Sequence, residues 1–155
     1  MQYSSNRFAL VDATKQDDSL QVFLDRIGSA NASSLSYLTM GFPAVERISE
    51  EPGKARLHEE GLTSLALLRE RCTGLTTLQA MVRSEQSSGL SKENQDDLPF
   101  IRDALSQIDT HMRAIPSLRN ILVRIYGVSL NSRAVELMQG LGWAVFLGDM
   151  KKPVE

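Results

Sequence analysis

Two histidines, His58 and His111, and one cysteine, Cys72, are the residues of this 155-residue chain best suited to acid–base, metal or thiol chemistry. His58 stands in His58-Glu59-Glu60, beside two carboxylates. A zinc site needs three or four ligands, and a helical pair at i and i+4 is its usual signature. The residue four after His58 is Leu62, which ligates nothing. His111 falls on the polar side of a heptad helix, beside the seam residue Met112. Both read as solvated histidines. Cys72 takes an inward helical position near Arg69 and Arg71. Cationic neighbours lower a thiol pKa, but the inward position predicts burial, and a buried free cysteine behaves as a small hydrophobe.

Phosphate and nucleophile signatures are missing. The chain has no GxxxxGK[ST], no GxGxxG and no GxSxG. Gly140-Leu141-Gly142 reads as a helix stop. Paired carboxylates at Asp17-Asp18, Glu50-Glu51, Glu59-Glu60 and Asp96-Asp97 fall at expected helix starts or in loops, where they complement the positive end of a helix dipole. These patterns name no catalytic residue and imply no cofactor or metal.

Basic residues are spread unevenly. Between Asp109 and Glu136 no acidic residue occurs, while Arg113, Arg119, Arg124 and Arg133 do, with His111. Such a window suits an acidic partner or a phosphate. The four arginines are the candidate polar contacts with a partner, and Trp143 is the candidate apolar anchor. A second reading is nucleic-acid binding through the window 110–135. The segments on either side of Gly127 match a helix-turn-helix poorly, because the second offers Ala134, Val135, Leu137, Met138 and Leu141 rather than polar side chains.

One stretch, Ile121–Phe146, resembles the last segment of the acyl-CoA N-acetyltransferases. There a strand leads to an Asn, then to a helix with an inward Ala, a Gly-aromatic pair and a final strand; Asn131, Ala134 and Gly142-Trp143 stand at the matching spacings. The resemblance covers about a sixth of the chain and implies acyl transfer from acyl-CoA. The sequence departs from that pattern upstream. The family's pyrophosphate loop (Arg/Gln-x-x-Gly-x-Gly/Ala) is absent, and Met138 replaces the frequent acid tyrosine.

The elements that would position these residues read as helices. Leu20, Phe23, Leu24 and Ile27 recur at helical spacing after Asp17 or Asp18, with Gly28 as a stop. Residues 28–36 are small and polar and read as a linker. A short helix is expected from Pro43 to about Ser49. Leu57, Leu62, Leu65, Leu68 and Cys72 make a stripe to Gly74, continued by Leu75, Leu78, Met81 and Val82 to about Glu85. A polar loop spans 84–97. Leu98, Ile101, Leu105, Ile108, Met112 and Ile115 form a heptad seam, capped by Asp97 and stopped by Pro116. Helices are expected from Ser117 to Gly127 and, capped by Asn131, to Gly142. Trp143–Leu147 is a short apolar run, either strand or buried helix turn.

No repeat of 20–50 residues stands out. The sum is an all-α bundle of five to seven helices with at most one or two short strands near the termini. The helical domain covers 17–147, between an N-terminal arm at 1–16 (loose, or one short strand) and a polar tail at 148–155. With 42% apolar and 23% charged residues, the chain has the composition of a soluble domain. A net charge of −2 gives no global attraction to nucleic acid or anionic lipid. A single cysteine excludes an internal disulfide and fits a reducing, cytoplasmic setting; the Ser/Asn-bearing start also suits a secreted bacterial effector. The expected function is a non-catalytic interaction module (adaptor, regulator, chaperone or complex subunit) that binds another protein or a second copy of itself, without a membrane.

Overall fold

The structure, a computed structural model, describes residues 8–10, 19–48, 50–51, 53–82, 98–126, 130 and 132–147. In chain order the elements are β1 (Phe8–Leu10), α1 (Ser19–Ile27), α2 (Ser29–Ser34), β2 (Tyr37–Gly41), β3 (Val45–Arg47), β4 (Ala55–Leu57), α3 (Glu59–Arg71), β5 (Thr77–Val82), α4 (Leu98–Arg113), β6 (Asn120–Ile125), α5 (Ser132–Gly140) and β7 (Ala144–Leu147). The fold is mixed α/β, which corrects the expected all-α bundle. Five strands form one sheet in the order β1-β2-β5-β6-β7, every pair parallel, and β3 and β4 make a separate antiparallel hairpin.

Strand order in the main sheet follows chain order. Crossovers of one hand then return every helix to the same face of the sheet. The helices do form one layer: α1 packs on α2 and α3, α3 on α4, and α4 on α5. The seam at 98–115 survives as α4, and it faces the domain core through Phe100, Ile101, Ala104, Leu105, Ile108 and Met112. The stripe expected from Leu57 survives from Glu59 to Arg71 as α3, while Leu57 itself ends β4; Glu59 and Glu60 lie in the first turn of α3 and Arg69 and Arg71 in its last, as the dipole favours.

Three expected helices are strands. The run 75–85 holds β5, the segment from Ser117 holds β6, and the segment from Pro43 holds β3. The reason is a coincidence of spacing. Leu118, Ile121, Leu122 and Ile125 fit positions i, i+3, i+4 and i+7, yet within β6 the alternate residues Ile121, Val123 and Ile125 are buried while Leu122 and Arg124 are half-buried. In a parallel strand with apolar residues on both faces, the period of two is masked. Residues 29–34 of the expected linker form the short helix α2, and 144–147 resolves as a strand. The expected caps at Asp17 or Asp18, Asp97 and Asn131, the loop 84–97 and the tail 148–155 fall outside the described residues. So does the arm 1–16, apart from β1.

Successive strand entries stack on one another. Ser36 carbonyl oxygen accepts from the amides of Thr76 and Thr77, both at 3.0 Å; Thr76 carbonyl oxygen accepts from those of Arg119 and Asn120, both at 2.9 Å. The Ser117 hydroxyl donates to Leu75 carbonyl at 2.6 Å. Leu35, Leu75 and Ile115 are buried beneath these turns. Each β–α unit therefore leans on the next, as in a solenoid. The spacing of register-matched residues is uneven (37 to 77, 77 to 120, 122 to 144), so no fixed period marks the units in the sequence.

The β3–β4 hairpin is clamped to α4. Asp103 Oδ2 accepts from the Ala55 amide at 2.8 Å, and Gln107 Nε2 donates to Ala55 carbonyl at 2.7 Å. Two side chains thus satisfy one residue of a strand edge, much as a neighbouring strand would. The Arg47 guanidinium lies 4.6 Å from the centre of the Phe100 ring.

Candidate functional site

Register sorts the strand residues into two faces. Leu38, Leu78 and Ile121 align, as do Met40, Ala80, Val123 and Val145, and all of these belong to the buried core beneath the helices. The alternate rows are Tyr37–Thr77–Asn120, Thr39–Gln79–Leu122–Ala144 and Gly41–Met81–Arg124–Phe146. These rows point away from the helix layer, and none of their side chains belongs to that core.

A connected polar group occupies this second face. Gln79 Nε2 donates to Thr39 Oγ1 at 3.3 Å, and its Oε1 accepts from Tyr37 Oη at 3.4 Å and Arg124 Nε at 3.2 Å. The Arg124 guanidinium sits 5.1 Å from the centre of the Phe146 ring. Asn120 Nδ2 donates to Thr77 Oγ1 at 3.3 Å. Thr39, Gln79 and Met81 at the centre are buried; Tyr37, Thr77, Leu122, Arg124, Ala144 and Phe146 are half-buried, and Asn120 is exposed. Parallel sheets are usually apolar on both faces. Here one face carries hydroxyls, amides, a guanidinium and aromatic rings, a side-chain set suited to hydrogen bonding and stacking with a polar surface.

The arginine window does not converge. Arg113 ends α4 and is spent on structure, its Nε bonded to Asp109 at 3.1 Å and its Nη2 to Leu141 carbonyl at 2.8 Å. Arg119 is exposed just before β6, Arg124 lies on the sheet face opposite the described helix layer, and Arg133 is exposed in the first turn of α5. Trp143 is 3% exposed, edge-on to Phe42 with ring centres 6.2 Å apart, and its Nε1 donates to Asp109 Oδ1 at 2.9 Å. It is a core residue. Of the five proposed contacts, Arg124 alone joins the polar group. Sequence reasoning missed Tyr37, Gln79 and Phe146; the signal for Gln79 was Thr77-Leu78-Gln79-Ala80, a polar–apolar alternation that is readable once 77–82 is taken as a strand.

The other chemistry-bearing residues are placed as follows. His58 Nε2 lies 3.5 Å from Glu46 Oε1, and Arg56 contacts Glu46 Oε2 at 2.8 and 2.7 Å through Nε and Nη2. With Glu59 and Glu60 they line an open groove of about 630 Å³ at the hairpin. This is an exposed ion-pair cluster, a type that contributes little to stability. His111 is half-buried in the last turn of α4. Among the described residues no three of His, Cys, Asp or Glu come together as a metal would require.

Cys72 is fully buried. Burial raises its thiol to about 11, partly opposed by the Arg71 guanidinium. The native thiol should therefore resist a disulfide reagent at pH 8 and react fully on unfolding. The unfolded thiol titrates near 9.0. Above that pH the unfolded state holds fewer protons than the native one, so stability falls as pH rises toward 11, by about 2–3 kcal/mol in all. Chemical denaturation of the parent and Cys72→Ala between pH 8 and 11 checks this: the parent should lose stability more steeply than the variant.

No protein-family model, curated protein or solved structure matches the chain.

Proposed function

We propose that the chain is a non-catalytic protein–protein interaction module and that it works as an adaptor or complex subunit. Its contact surface is the face of the parallel sheet opposite the described helix layer. The observation that carries this reading is the sidedness of the strands: among the described residues the helices lie on one side of the sheet, while the rows of the other side place Asn120 exposed and Tyr37, Thr77, Arg124 and Phe146 half-buried around the buried Thr39, Gln79 and Met81. Stacked β–α units form broad, rigid surfaces of this kind, and residues on strands hold position better than residues on loops. Aromatic and arginine side chains are the types that dominate binding energy at interfaces.

Position-resolved photo-crosslinking in cells of the source organism tests this. A photoreactive residue at Asn120 should crosslink one defined protein, and Arg119→Glu, at an exposed position, should weaken that crosslink while the thermal midpoint stays near the parent value. The same photoreactive residue at Glu70, exposed on α3, should give no such product. Equal crosslinking from both positions, or from Glu70 alone, would overturn the assignment of the face.

A further inference from the structure

No further inference is drawn: the strongest candidate, the open groove at the β3–β4 hairpin lined by Glu46, His58, Glu59 and Glu60, is an exposed acidic cluster at the N-terminus of α3, and among the described residues no second observation points to a ligand there.

Discussion

Trp143→Ala should lower the unfolding free energy by about 3–5 kcal/mol, the usual cost of truncating a buried large aromatic. For a domain of this size that is a drop of roughly 6–20 °C in thermal midpoint. The expectation has two parts. The indole fills space against Phe42, and its N–H is bonded to Asp109, which also holds Arg113. Trp143→Phe keeps most of the ring and loses the hydrogen bond to a carboxylate, so it should cost about 1.5–3 kcal/mol. Differential scanning calorimetry on both variants checks the order. A docking anchor would behave otherwise: its truncation would leave the midpoint near the parent value and weaken only partner binding.

The second large effect is expected at Gly74. A Cβ built there would stand 2.6 Å from the Ser33 carbonyl oxygen, closer than real Cβ contacts come. The obstacle is backbone at the end of α2, not the tip of a side chain that can swing away. Overpacking a well-packed site costs about 1–3 kcal/mol and occasionally more, and a backbone obstacle places Gly74→Ala at the upper end. Gly140→Ala is the internal control, because a Cβ there meets nothing within 4 Å and the residue ends α5. It should be neutral or gain up to about 1 kcal/mol from helix propensity. Denaturant titration of the pair decides. If Gly74→Ala melts within about 2 °C of the parent, α2 and the turn after α3 are not in the close contact described.

The contrast between these sites shows what could be read from the amino acids. Amphipathic helices were legible: α1, α3, α4 and α5 each lie within a predicted segment, because their buried residues recur at three and four and their partners across the core do not alter that period. Strands were not. In β5 the residues Leu78, Ala80 and Val82 face the helices while Gln79 and Met81 on the other face are also buried, so burial erases the alternation that identifies a strand. In β6 the β-branched pairing of Ile121, Val123 and Ile125 was the available signal, and a fortuitous Leu118–Ile121–Leu122–Ile125 spacing outweighed it. The candidate site suffered the same loss. Arg124 was singled out for its charge, but Tyr37, Gln79 and Phe146 come from three other strands, and only parallel register brings them beside it. Arg113 illustrates the converse. Its charge marks it as a candidate partner contact, and the structure has it tie the end of α4 to the turn after α5.

The agreement of strand order with chain order has a mechanical meaning. β1 and β7, the first and last strands, occupy the two opposite edges of the sheet. Tension applied to the termini would load an edge strand and its helix before any interior one, since no later segment is threaded between earlier ones. Such a molecule should yield by peeling, one strand and one helix per event, rather than by a single high-force rupture.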